Sequence, residues 1–161
     1  MYRIGQSSDI HPLVPDRPLI LGGVLIDYHL GLLGHSDADV LTHAISEAII
    51  GALGLGDLGT HFPDTKSDYK DIDSLELLKS VKLLMEDKGY RIVNIDSLVM
   101  IEKPKLKDYI PLMKEVLCEV LTIDIDILNI KATRGEKLGY IGRQEGAMAQ
   151  AVVLLKKEET R

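Results

Sequence analysis

The chain has one cysteine, no tryptophan, a single phenylalanine and no excess of basic residues. With only Cys118, no internal disulfide can form, which points to a reducing compartment. Aromatics make up 4% of 161 residues, too few to build stacking platforms for single-stranded nucleic acid. Nineteen Lys and Arg against 25 Asp and Glu leave a net charge of −6, the wrong sign for a dedicated nucleic-acid binder. No apolar run reaches the ~20 residues that span a bilayer, and the opening MYRIGQSSDIHP has neither an apolar signal core nor an Arg/Ser-rich amphipathic stretch. The expectation is a cytoplasmic protein without a membrane partner. Hydrophobic residues at 45% and charged residues at 27% give an ordinary globular balance, and the length suits one domain over 1–161.

Residues 1–28 read as short strands, with a Gly22-Gly23 break between Pro18 and Ile26 that suggests a hairpin or bulge. From Ala38 to Leu53 apolar residues recur every three or four positions, a helix stopped by Gly54. Residues 55–72 form a loop longer than ordinary connections, which makes it a functional suspect. A second helix runs from Ser74 to about Lys88, with Asp73 and Glu76 in a capping pattern. Ile92 to Ile101 reads as a strand. A third helix covers roughly Tyr109 to Leu121, with Pro111 in its first turn. Ile125 to Ala132 is another strand, and the alternating tail from Ala147 to Leu155 favours a last one over helix. Strands interleaved with three helices imply an α/β sandwich, a sheet covered on one face.

Asp9 and His11 sit two apart on an extended segment, so carboxylate and imidazole converge. His43 lies at the edge of the apolar stripe of the first helix. One carboxylate and two imidazoles from two rigid elements form the ligand set of a catalytic zinc with an open fourth position. The Asp-x-His pair by itself is also what structural hydrogen bonding produces. Asp39, one turn before His43, is a candidate orienting carboxylate, or else half of an exposed helix pair. Ser36 or Asp37 can cap the helix that carries His43, and such a terminus can also hold an anion. Asp57, Gly59 and Asp64 serve turns equally well. The stretch from Lys131 to Arg143, basic and glycine-rich with Glu136, could hold a diphosphate and a divalent cation. No P-loop, dinucleotide fingerprint or nucleophile elbow is present.

Taken together, these pieces resemble the 2-C-methyl-D-erythritol 2,4-cyclodiphosphate synthase family nearly end to end. DIH at Asp9, LGGV at Leu21, GLLGHSDADVLTHA ending at Ala44 and GALGLGDLGTHFPDT ending at Thr65 occur in family order. DSLELL, KPKL, NIKAT and EKLGYIGRQEG follow. The resemblance implies a mixed sheet with helices on one face, a homotrimer with active sites between subunits, and a cavity on the threefold axis. It implies a phosphorus–oxygen lyase that turns 4-diphosphocytidyl-2-C-methyl-D-erythritol 2-phosphate into the cyclic diphosphate and CMP, in non-mevalonate isoprenoid synthesis. Asp9, His11 and His43 would hold Zn²⁺ or another divalent cation, and Glu136 would help hold Mg²⁺ or Mn²⁺. His35 and Arg134 take the catalytic positions. Substrate contacts would come from Asp9, His11, His35, Ser36, Asp57, Leu58, Gly59, Phe62, Pro63, Asp64, Thr65 and Lys66. Ile101, Lys103, Pro104, Lys105 and Lys107 would reach in from the adjacent subunit around the cytidine. Thr133, Arg134, Gly135 and Glu136 would lie by the phosphates, with Tyr140 and Arg143 completing the set. The chain departs from the family at Ser7 and Ser8, where Gly and an aromatic are usual, and at Arg134-Gly135, where two Thr are common. Two other classes remain at this point: a trimeric diphosphate-binding protein without catalysis, and a metal-dependent phosphohydrolase.

Overall fold

The computed structural model describes residues 1–62 and 73–158. Its frame is a five-stranded mixed sheet in the order β4-β1-β7-β5-β6. The strands are β1 (Tyr2–Pro15), β4 (Leu30–Leu32), β5 (Tyr90–Met100), β6 (Leu128–Thr133) and β7 (Gly146–Lys157). β7 pairs antiparallel with both β1 and β5, and only β5 with β6 is parallel. A small hairpin of β2 (Leu19–Leu21) and β3 (Val24–Ile26) stands apart. Gly22 and Gly23 make its two-residue turn at φ 57° and 72°, the left-handed pair that a tight hairpin needs.

Alternation decides which face of the sheet is covered. On β7, Ala147, Ala149, Ala151, Val153 and Leu155 are buried, while Val152 on the opposite face is exposed. Tyr2, Ile4 and Ile10 of β1 also face outward and are exposed. The covered face carries α1 (Val40–Leu53) against β1 and β7, α3 (Ser74–Asp87) beside it, and α4 (Ile110–Leu121) against β6. Two single turns, α2 (Leu58–His61) and α5 (Gly139–Gly142), and a 3-10 turn at Ile125–Ile127 complete the elements. Among the described residues, no helix is long and apolar enough to cross a membrane.

Three sequence expectations are corrected. The opening segment is one 14-residue strand, because eleven consecutive residues from Tyr2 to Pro12 pair with β7 and carry the polar run through the sheet. The strand expected from Ile125 opens as a 3-10 turn and becomes strand at Leu128. The first helix starts at Val40, since Ala38 has φ 56° and cannot continue a helix backward. The closing segment is strand throughout, as its alternation favours.

One close approach sets the position of α1. A Cβ built on Gly5 would run into the Ala48 carbonyl oxygen and lie 2.6 Å from the Ala52 nitrogen. Glycine on β1 and alanines on β7 therefore let the α1 backbone settle almost onto the sheet. That contact brings His43 within reach of the next inward-facing residues of β1.

Candidate metal centre and adjoining cleft

Asp9 and His11 point to the covered side of β1, and His43 on α1 faces them. His43 Nδ1 lies 3.3 Å from Asp9 Oδ2, and His11 Nε2 lies 3.5 Å from the same atom. One donor atom from each of the three side chains falls within 4.8 Å of the others. Asp9 Oδ2 is shut off from solvent and has no hydrogen-bond partner among the described residues. A buried carboxylate oxygen without a partner is costly. Flanked by two ring nitrogens, it fits a divalent cation, whose ligands converge on one point instead of on each other.

The electrostatics agree. Burial pushes the Asp9 carboxyl up, but His11 and His43 together outweigh it and hold it well below the usual carboxylate range. His11 is in turn raised above its ordinary 6.5, chiefly by Asp9 and against burial. His11 Nδ1 lies 2.8 Å from the Leu33 carbonyl oxygen, so Nδ1–H donates there and the Nε2 lone pair turns toward Asp9.

Asp39 does not orient His43. It is the N-cap of α1, fully buried, and its carboxylate accepts from Thr42 N–H and Oγ1–H and from the amides of Gly22 and Gly23. An i−4 residue that caps its own helix folds its side chain onto the first-turn amides, away from the next turn. Ser36 and Asp37, expected as caps, instead accept from the amides of Ala38 and Asp39 just ahead of the helix. His35 and Ser36 lie on the β4–α1 loop, with His35 exposed. Sequence reasoning missed the residue that holds this loop. Arg17 donates to the carbonyls of Leu32, Gly34 and Ser36 at 3.0, 3.4 and 2.9 Å. An isolated arginine after a turn carries no sequence signal for that role.

Asp57 caps α2 through Thr60, whose two donors lower its carboxyl, and the Leu58 amide is tied to Glu47 of α1 at 3.1 Å. Gly59 lies in the same turn, and Phe62 closes it, packed against the core. Pro63, Asp64, Thr65 and Lys66 lie outside the described residues.

A separate cleft of about 460 Å³ opens beyond the ends of β5 and β6. Ile101, Pro104, Lys105, Lys107, Thr133, Arg134 and Glu136 all line it, so the 101–107 segment and the 133–136 turn meet within one protomer; Lys103 and Gly135 are not among its lining residues. The Lys103–Pro104 peptide is cis. Lys105, Lys107 and Arg134 have no hydrogen-bond or ion-pair partner among the described residues, which leaves three cations for an anionic ligand. Glu102, also missed, accepts from the Gly135 amide at 2.9 Å and anchors the turn behind Arg134. A side chain on Gly135 would meet the Gly142 amide at 2.5 Å, so the turn would have to shift to take one. Tyr140 donates to the Met148 sulfur at 3.3 Å, and Arg143 forms a two-pronged pair with Glu145 that raises the guanidinium. None of the three metal-centre residues lines this cleft. β7 and β5 lie between β1 and β6, a lateral separation of roughly 14 Å at ordinary strand spacing.

Comparison with known proteins resolves the kinship. The model of the YgbB family matches residues 2–156. The chain belongs to the YgbB family. A relative from Chlorobaculum parvum, named 2-C-methyl-D-erythritol 2,4-cyclodiphosphate synthase, is 55% identical over 156 residues, covering 97% of this chain and 99% of that one. The structure of Plasmodium falciparum IspF in complex with CDP superposes with a TM-score of 0.87 at 35% identity, covering 98% and 97%. The bifunctional IspDF of Campylobacter jejuni gives a TM-score of 0.93 at 42% identity; there this chain matches 99% of itself but 43% of the longer protein. The mixed sheet with helices on one face is thus the YgbB-family fold, with the Asp9, His11 and His43 cluster set into it.

Proposed function

We propose that this chain forms 2-C-methyl-D-erythritol 2,4-cyclodiphosphate and CMP from 4-diphosphocytidyl-2-C-methyl-D-erythritol 2-phosphate, as a phosphorus–oxygen lyase. The observation that carries the reading is the buried Asp9 oxygen, without a hydrogen-bond partner among the described residues, set between two imidazoles. It is supported by the kinship with proteins of that name.

In this reading Asp9, His11 and His43 hold Zn²⁺ and Glu136 helps hold Mg²⁺ or Mn²⁺, ions that supply Lewis-acid polarisation of phosphoryl oxygens when bound. The substrate provides its own nucleophile: an oxygen of the 2-phosphate bonds to the β-phosphorus while the bond to the CMP oxygen breaks. No protein nucleophile is needed, so this chain's residues work by positioning and by balancing charge. Lys105, Lys107 and Arg134 bind phosphate oxygens, and the apolar wall of Ile101, Pro104 and Leu106 receives the nucleoside end. His35, Ser36 and the Asp57–Gly59 turn orient the erythritol portion. The Arg134 guanidinium, at a position where the family commonly has Thr, contacts a substrate phosphate directly. Because the cationic cleft and the metal centre lie apart within one protomer, the complete site is assembled between neighbouring subunits of a homotrimer.

Incubation of the protein with the cytidylyl substrate and Mg²⁺, followed by phosphorus NMR, tests this reading. CMP and a cyclic diphosphate in equal amounts are expected. Open-chain phosphate would indicate a phosphohydrolase, and binding without turnover would indicate a diphosphate-binding protein. A solution mass other than three chains would overturn the shared-site assignment.

A further inference from the structure

The two ring nitrogens of His43 have different surroundings. Nδ1 faces Asp9, whereas Nε2 lies 2.8 Å from the hydroxyl oxygen of Ser74. Ser74 is the first residue of α3 and is fully buried. Its hydroxyl donates to Asp37 Oδ1 in a short hydrogen bond, and its amide donates to Asp37 Oδ2 at 3.2 Å. An ionised carboxylate accepts only, and a hydroxyl has one proton to give. With that proton on Asp37, Ser74 Oγ accepts from His43, so Nε2 carries the ring hydrogen and Nδ1 keeps its lone pair for the side where Asp9 lies.

We infer that Ser74 and Asp37 are positioning residues that fix the tautomer and ring orientation of His43 for metal ligation. The inference rests on the metal reading of Asp9, His11 and His43. The hydroxyl of Ser74 is not needed by its own helix, because Asp73 caps α3 through the Leu75 amide at 2.8 Å. Its two partners both belong to the α1 side of the molecule, Asp37 just before that helix and His43 on it. The arrangement mirrors His11, whose Nδ1–H is held by Leu33. One imidazole thus presents Nε2 and the other Nδ1, each locked by an outer hydrogen bond of the kind that orients metal-bound histidines. The relay also joins the start of α3 to the metal centre across 31 residues.

The test uses Zn²⁺ alone, with affinity measured by chelator competition on the full chain. Wild type is expected to bind tightly and His43→Ala weakly, which establishes the ligand reading by itself. Ser74→Ala is expected to lose about 10–100-fold in Zn²⁺ affinity, and Ser74→Thr, which restores the hydroxyl, to recover most of it. Histidine ¹⁵N spectra of the Zn²⁺-loaded wild type supply a readout independent of variant folding. His43 should show a protonated, slowly exchanging Nε2, and the slow exchange should vanish in Ser74→Ala. An unprotonated Nε2 in wild type overturns the inference. So does Ser74→Ala affinity within twofold of wild type, or a Ser74→Thr variant as weak as Ser74→Ala. If wild type binds no better than His43→Ala, the metal reading and the inference fall together.

Discussion

Substituting Gly5 with alanine tests whether the metal centre depends on the seating of α1. The added methyl would collide with the Ala48 carbonyl and sit 2.6 Å from the Ala52 nitrogen, where ordinary contact begins at 3.4 Å. Relief requires a displacement of 3.4 − 2.6 = 0.8 Å at the Ala52 contact and more at the carbonyl. Both obstacles are backbone atoms of a helix buried along nearly its whole length, so no flexible side chain can give way. Overpacking of this kind costs about 1–3 kcal/mol. The same shift tilts α1 away from β1. Metal–ligand distances tolerate only about 0.2 Å, so even a quarter of the displacement reaching His43 exhausts the tolerance. Gly5→Ala is therefore expected to lower the urea midpoint and to weaken Zn²⁺ binding about tenfold or more, since 1.4 kcal/mol lost from a strained site is a factor of ten. Urea unfolding followed by circular dichroism and Zn²⁺ titration of the same preparation measure the two effects. Wild-type stability together with wild-type affinity would refute the account, as would lost affinity without lost stability.

Asp39→Ala removes four accepted hydrogen bonds and leaves the buried Gly22 amide without a partner, so stability should fall by about 2–4 kcal/mol in urea unfolding; a change under half that would contradict its role as cap and hairpin anchor. Metal binding needs neutral imidazoles, and Asp9 holds His11 above 6.5, so Zn²⁺ occupancy should begin to fall above that pH on acidification. Metal-free protein behaves differently. The stabilisation from His11 is complete below 6.5 and lost as pH rises through its raised value, while that from Asp9 is complete above 3.8 and lost as pH falls toward its depressed value. The cluster's contribution without metal should thus be greatest between 3.8 and 6.5, and thermal melts of Asp9→Asn that track wild type across this range would disprove it. Arg134→Thr should weaken CDP binding about tenfold by calorimetry, the loss of one charge-assisted hydrogen bond; unchanged affinity would remove Arg134 from the phosphate site.

The metal cluster was legible because its signals are local. Two-residue spacing on an extended segment puts Asp9 and His11 on one side, and helical periodicity places His43 at the margin of a buried stripe. The cleft was not legible as one unit, since the lysines of the 103–107 turn and the cationic turn after β6 meet only through the parallel β5–β6 pairing. Residues that act at long range were not legible. Asp37 reaches His43 through Ser74, and Arg17 holds carbonyls 15–19 residues away, neither of which follows from spacing. Asp39 misled for a specific reason: i−4 spacing signals proximity along a helix, but a capping residue turns back onto its own helix terminus. The polar run Gln6-Ser7-Ser8 concealed a continuous strand because pairing with β7, not side-chain pattern, sustains it.

The strand order has a consequence for how the protein is made. β1, which carries Asp9 and His11, gains its main partner only when β7, more than a hundred residues further along, has been made. Until then its backbone lacks most of its ladder, and α1 has half a floor to rest on. Non-local closure of this sort slows folding, because a long loop must close before the pairing forms. The corner formed by Asp9, His11 and His43, although encoded in the first 43 residues, thus depends on a strand that begins only at Gly146.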